Sequence, residues 1–467
     1  MHLLQGTAGT GKTTCALQFL RDGARSGEAT LYVTLAQSKP HLERIARSHG
    51  WSLDGVTIHE LTPSAVAEKM AGHQTVLATA DVELQQVFED LTALVEEIKP
   101  RRAVVDSVSM LQLLAGRVQT YHGEVVRLRE LFVRRECTAL FIADRPAEAR
   151  NGLPADIDFH PLAGCIVELS QEPRPYGDVR RLARVVKARG LPSDGGFHDL
   201  KILKTGVEVY PRLGAYRLAE HTEFAVQPSG VAVLDDVLGG GLESGTACLI
   251  VGPSGTGKST LASLFATAIA ASGKHAAFYL FDERPATYKA RAAGLGIPLA
   301  EQIAAGNVEM RQLDPAEIAP GQFAQQVREV VEQRGSRVVV LDSIAGYFNA
   351  IGSSDIFVGQ LHELLTWLSR RGVLTILCGA QEGFMSIGTQ PGVDISYLSD
   401  TIIVLNYYEV DGGLHRCLAA VKRRGGEIET TIRELSISKS GVALGEPLRD
   451  LRGLMIRAAA PPPRARE

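Results

Sequence analysis

Short apolar runs recur along the chain, separated by longer stretches of mixed polarity. In the first half, residues 2–4, 31–34, 103–105 and 139–142 read as strands. In the second half, residues 248–251, 277–280, 338–341 and 374–377 do, and 401–405 extends the set. Near-continuous apolar strands separated by helical segments predict parallel sheets covered on both faces. The expected fold class is α/β.

The two halves carry the same landmarks in the same order. Gly6-Thr7-Ala8-Gly9-Thr10-Gly11-Lys12-Thr13 matches Gly252-Pro253-Ser254-Gly255-Thr256-Gly257-Lys258-Ser259, at an offset of 246 (252 − 6). Strands ending in Asp106-Ser107 and Asp342-Ser343 match at 236 (342 − 106). Lys187-Ala188-Arg189-Gly190 matches Lys422-Arg423-Arg424-Gly425 at 235 (422 − 187). Three collinear matches read as a duplicated unit. The predicted domains are 1–212 and 231–450, with a linker over 213–230 marked by the turn signal Pro228-Ser229-Gly230. The Pro-rich tail 451–467 is expected to be disordered.

Composition sharpens this picture only slightly. The 467 residues suffice for two domains with real cores. A net charge of −4 argues against constitutive nucleic-acid binding, which needs an excess of Lys and Arg. None of the six cysteines forms a C-x-x-C pair, so they read as reduced core residues. The polar start and the lack of a long apolar run predict a cytoplasmic protein without a membrane segment.

The two G-x-x-x-x-G-K-[ST] loops carry the candidate chemistry. Each follows an apolar strand and opens a helix. The glycines let backbone N–H groups turn around a phosphate, and the helix N-terminus adds partial positive charge. Gly6, Thr7, Gly9, Thr10, Gly11, Lys12, Thr13 and Thr14 are the ATP-binding candidates of the first copy. Gly252, Ser254, Gly255, Thr256, Gly257, Lys258, Ser259 and Thr260 are those of the second. Both lysines reach for the β/γ-phosphates, and Thr13 and Ser259 offer hydroxyls to Mg²⁺. Asp106 and Asp342 complete the metal candidates. Two tandem RecA-like P-loop domains are therefore expected.

The copies differ where water would be activated. Asp282 and Glu283 follow the second strand of the second copy, as catalytic carboxylates should. Subtracting 246 lands on Ala36 and Gln37. The first domain is thus expected to bind ATP and hydrolyse it slowly, with Lys258, Asp282 and Glu283 catalytic in the second. Lys187 and Arg189, like Lys422 and Arg424, alternate along a late strand. Such cations either reach a neighbouring subunit's γ-phosphate or protect an edge strand; their recurrence favours the first.

Residues 213–218 (Leu-Gly-Ala-Tyr-Arg-Leu), residues 229–241 with their closing glycines, and both K-x-R-G runs resemble the KaiC circadian-clock ATPase family over nearly the whole chain. The resemblance implies a homo-oligomer, a double-ring hexamer with ATP between subunits. It also implies ATP hydrolysis and serine/threonine autophosphorylation in the second domain. Ser396 matches the family's phosphorylated serine. Tyr397 stands where the family has a phosphorylated threonine, and Ser399 is a nearby hydroxyl outside the motif. The short tail departs from the family, as does the lack of a first-copy counterpart to residues 229–245. Either the start lies upstream of Met1 or the first domain is trimmed at its nucleotide pocket.

Two further readings stay open at this stage. A DNA-dependent ATPase of the same fold would need basic loops, and residues 344–349 contain none. A nucleotide-gated scaffold that binds a signalling partner would tolerate the altered first copy.

Overall fold

The computed structural model describes residues 1–61, 80–114, 118–144, 159–174, 177–215, 218–219, 223–351, 353–380 and 395–449. The tail 451–467 lies outside them. Each half of the chain forms a compact unit, with the division falling after Arg212.

In the first unit a nine-stranded sheet is built from β1 (His2–Gly6), β2 (Thr30–Thr34), β3 (Val56–Glu60), β4 (Arg102–Asp106), β5 (Thr138–Asp144), β6 (Cys165–Glu172), β7 (Arg180–Ala188), β8 (His198–Leu203) and β9 (Gly206–Tyr210). Its order is β3-β2-β4-β5-β1-β6-β7-β8-β9. The strands up to β6 pair in parallel, and β6 to β9 pair antiparallel.

The second unit adds a two-stranded ribbon, β10 (Val226–Gln227) with β11 (Leu242–Glu243). Its main sheet comprises β12 (Ala247–Gly252), β13 (His275–Leu280), β14 (Val308–Gln312), β15 (Ser336–Asp342), β16 (Leu374–Ala380), β17 (Thr401–Val410), β18 (Gly413–Arg423), β19 (Arg433–Ser438) and β20 (Gly441–Pro447). The order β14-β13-β15-β16-β12-β17-β18-β19-β20 repeats that of the first sheet strand for strand. These are two mostly parallel α/β sheets with flanking helices, as the sequence pattern implied.

Period-two alternation explains why the strands read as unbroken apolar runs. Along β15, Val339 and Leu341 enter one core layer while Val338 and Val340 enter the other. One layer centres on Phe323, Tyr347, Phe357 and Trp367. The other packs the helix Lys258–Ala271 through Leu261, Phe265 and Ile269. Burying each such side chain contributes about 1.5–3 kcal/mol, so covering both faces is what holds a parallel sheet. Leu213, Ala215 and Leu218, from the stretch expected to be a linker, pack against the second unit's core.

Parallel pairing brings the C-terminal ends of β1 to β6, and of β12 to β17, to one edge of each sheet. Asp106 is level with Thr34 and Ile142, and Asp342 with Leu280 and Cys378. The six cysteines are free, four of them buried. Among the described residues no helix is long and apolar enough to cross a membrane.

Candidate nucleotide sites

The second P-loop leaves β12 and enters the helix Lys258–Ala271. Gly255 and Gly257 have φ of +81° and +111°, a region that L side chains avoid. A Cβ on Gly257 would lie 2.4 Å from Ile437 Cδ1. No side chain caps the helix start, so first-turn N–H groups are left to a ligand. The buried Thr256 hydroxyl braces the loop from within, donating to the Pro253 carbonyl at 2.8 Å. Lys258 Nζ donates to the carbonyls of Gly252 and Pro253 at 2.7 and 2.9 Å. Burial lowers its pKa, opposed by Cys378 and Asp342.

Two strand ends, those of β13 and β15, bring the acids to this loop. Burial raises the pKa of Asp342, while a hydrogen bond from Ser259 and the charges of Arg291 and Lys258 oppose the rise. Asp342 Oδ2 is buried with no hydrogen-bond partner among the described residues. An orphaned carboxylate oxygen beside a hydroxyl suits a hard, oxygen-seeking cation such as Mg²⁺. Asp282 accepts a hydrogen bond from Ser343 Oγ at 2.5 Å. Glu283 accepts from Arg291 at 2.7 and 2.8 Å. Arg291 lies on the helix Pro285–Gly294, with its guanidinium over the Tyr288 ring. Ser254, Lys258, Ser259, Asp282, Glu283, Arg291, Asp342 and Arg416 line one cleft of about 540 Å³. That size suits a nucleotide.

The first loop has the same backbone: Gly9 and Gly11 have φ of +81° and +99°, and no side chain caps the helix Lys12–Arg25. The Thr10 hydroxyl donates to the Thr7 carbonyl at 2.9 Å. Thr14 and Thr260 are buried in the first turns of their helices. Lys12 Nζ donates to the carbonyls of Gly6 and Thr7, both at 2.8 Å, and pairs with Asp144 Oδ1 at 2.9 Å. Asp106 accepts a hydrogen bond from the Tyr32 hydroxyl at 2.6 Å. Burial raises its pKa, Tyr32 lowers it, and Asp144 raises it. Gln37 Nε2 reaches Thr13 Oγ1 at 3.4 Å.

Two folded P-loops, each beside a strand-end aspartate on identical sheets, narrow the choice of family. The profile of the KaiC ATPase family matches residues 1–214 and 227–449. The chain belongs to the KaiC ATPase family. The circadian clock oscillator protein KaiC of Acaryochloris marina is 26% identical over 465 residues, covering 97% of this chain and 86% of that protein. The protein of the same name from Thermostichus vulcanus gives the same figures. The Nostoc KaiC is 24% identical, over 96% of this chain and 85% of its own. The chain is thus a KaiC-like ATP-binding protein.

In this KaiC-family chain, among the described residues, β8 and β19 pair with β7 and β18 only over residues 181–183 and 417–418, so both K-x-R-G runs lie beyond that pairing. They clamp backbone. Lys187 lies opposite Ile166 and donates to the carbonyl of His160; Lys422 lies opposite Ile402 and donates to that of Ser396 at 2.8 Å. In both, the carbonyl is six residues upstream of the strand partner. Arg189 bonds the Pro161 carbonyl at 2.7 Å and Arg424 the Tyr397 carbonyl at 2.5 Å. His160-Pro161 therefore occupies the position of Ser396-Tyr397, and the first copy has no hydroxyl there.

Ser396 opens a 3₁₀ turn, Ser396–Leu398, and Tyr397 beside it is exposed. Ser399 is fully buried, so the second hydroxyl of this segment is closed to modification. Asp400 bonds the backbone of Ala247, the first residue of β12, while the P-loop follows the last. Ser396 and its own P-loop thus lie at opposite ends of a strand that spans roughly 17 Å. Residues 344–349 fold into the helix Ile344–Ile351, with Ile344, Tyr347 and Phe348 buried.

Sequence reasoning missed Arg291, Tyr32 and Asp144. The repeat held the signal: the same offsets pair them with Ile45, Phe278 and Ala380.

Proposed function

We propose that the second domain hydrolyses ATP and transfers phosphate to Ser396 of a neighbouring copy, while the first domain holds a nucleotide without rapid turnover. The observation that carries this reading is the cleft that gathers Lys258, Asp282, Glu283 and Asp342, with Glu283 held by Arg291. At the corresponding places the first domain has Ala36, Gln37 and Ile45.

Glu283 takes the proton from the attacking hydroxyl, either water or the Ser396 side chain. The freed oxygen bonds the γ-phosphorus as the bond to the β-phosphate oxygen breaks, and ADP leaves. Lys258 and the loop amides hold the phosphates in line. Ser259 and Asp342 would hold Mg²⁺, whose positive charge offsets that of the phosphates. Asp282, bonded to Ser343, keeps a second carboxylate at the cleft.

Separation of Ser396 from its own loop supports transfer between subunits, and hence a ring, hexameric by family resemblance. Lys187, Arg189, Lys422 and Arg424 then set the segments that face the neighbouring nucleotide. The relatives' name supports a role in signalling or clock-like regulation, with a signalling protein as partner. The altered first site also suits a second reading, in which ATP binding gates a scaffold. Residues 344–349 lie in an apolar helix with Ile344, Tyr347 and Phe348 buried, not in a basic loop, which leaves little support for nucleic acid.

Intact-mass and peptide mapping after incubation with Mg²⁺-ATP tests this, with Glu283→Gln as control. One added phosphate on Ser396, absent in the control, is expected. ATP consumption without phosphate would leave an ATPase alone, and no consumption would leave the scaffold.

A further inference from the structure

The first P-loop faces a carboxylate that its twin lacks. Asp144 ends β5, and its register partner on β1 is Gly6, the first glycine of the loop. The matching pair in the second unit is Ala380 and Gly252. β5 lies between β1, which leads into the loop, and β4, which ends at Asp106. A P-loop cradles the α- and β-phosphates, and the γ-phosphate extends toward the metal and the strand-end acid. The end of β5 therefore stands at the γ side. Ala380 brings no charge to that side. Asp144 fills it, with Oδ1 2.9 Å from Lys12 Nζ.

Two more differences point the same way. The Tyr32 hydroxyl bonds Asp106 at 2.6 Å, where the second unit has Phe278, which cannot. Gln37 reaches the Thr13 hydroxyl at 3.4 Å, where the second unit has Glu283. The cation, the carboxylate and the hydroxyl that would meet a γ-phosphate and its metal each have a partner within the first unit.

We propose that the first P-loop is a nucleoside diphosphate site, with the Asp144 carboxylate in the place of the γ-phosphate. ADP keeps the loop amides and Lys12, whereas a triphosphate brings a like charge against Asp144. The proposal rests on the reading that this loop holds a nucleotide, and it specifies which one.

The test uses the full chain with Lys258→Ala, which silences the second loop. A fluorescent ADP analogue is bound and then displaced with unlabelled ADP or ATP. ADP is expected to compete roughly tenfold better than ATP, the scale of one charge–charge contact in a half-exposed site. Adding Asp144→Asn, the same size without the charge, is expected to bring the ratio close to one. The Asp144 side chain is 58% exposed, so this change leaves the core untouched. Equal competition before the Asn change, or a preference that survives it, would overturn the proposal while leaving a nucleotide-holding first domain. Absence of binding with and without Asp144 would overturn that underlying reading, and the proposal with it.

Discussion

Asp342 illustrates how a residue proposed to hold a metal strains the fold around it. Its carboxylate is buried with one oxygen unpartnered among the described residues, and burial raises its pKa. Below about pH 4, the ordinary carboxylate value, both folded and unfolded chains keep the proton and the group contributes nothing. As pH rises past that value the unfolded chain releases the proton first, so the folded state loses stability until the raised pKa is passed. Asp342→Asn should therefore raise the apo melting temperature at neutral pH, with a gain that vanishes toward pH 4, and should abolish ATP turnover. Thermal scans across pH check this; a gain that grows on acidification would contradict the burial argument. Lys258, Asp342 and Glu283 were legible as single residues because their chemistry needs those types at those spacings. Arg291 was not, since it acts through Glu283 and no motif names it.

At the scale of elements, the P-loop helix depends on what approaches its start. Gly257 combines φ of +111° with Ile437 Cδ1 2.4 Å from where a Cβ would stand. Gly273 has φ of +85° and open space around it. Either residue changed to Ala should cost about 1 kcal/mol or more through the left-handed backbone. Only Gly257→Ala should also lose ATP binding, because β19 would have to shift against the loop. Paired melting and nucleotide titrations separate the two. Strands were readable because two-sided burial leaves an uninterrupted apolar run. The K-x-R-G runs were not readable as clamps. The carbonyls they hold lie 26 to 28 residues earlier in the chain and are brought near by the β6–β7 and β17–β18 pairing.

For the whole molecule, the decisive distance is the length of β12 between Ser396 and its own P-loop. If phosphate crosses between copies, co-assembled Lys258→Ala and Ser396→Ala chains should complement each other. Phosphate should then appear on the Lys258→Ala chain, which cannot transfer it alone. Isotope-labelled mass spectrometry identifies the recipient; an unmodified Lys258→Ala chain would exclude transfer across subunits.

The sequence by itself determined the class of fold, the duplication, the two phosphate loops and the loss of Asp282 and Glu283 counterparts in the first copy. These follow from local rules: period-two burial, glycines at left-handed turns, and acids at strand ends. Only the tertiary structure decided which groups those residues meet. Asp144 reaches Lys12, and Tyr32 reaches Asp106, because parallel pairing aligns strand ends as much as 163 residues apart in sequence (169 − 6), from Gly6 to Leu169. Side-chain partnership at that range is set by register across the sheet, and register is a property of the assembled strands rather than of any one of them.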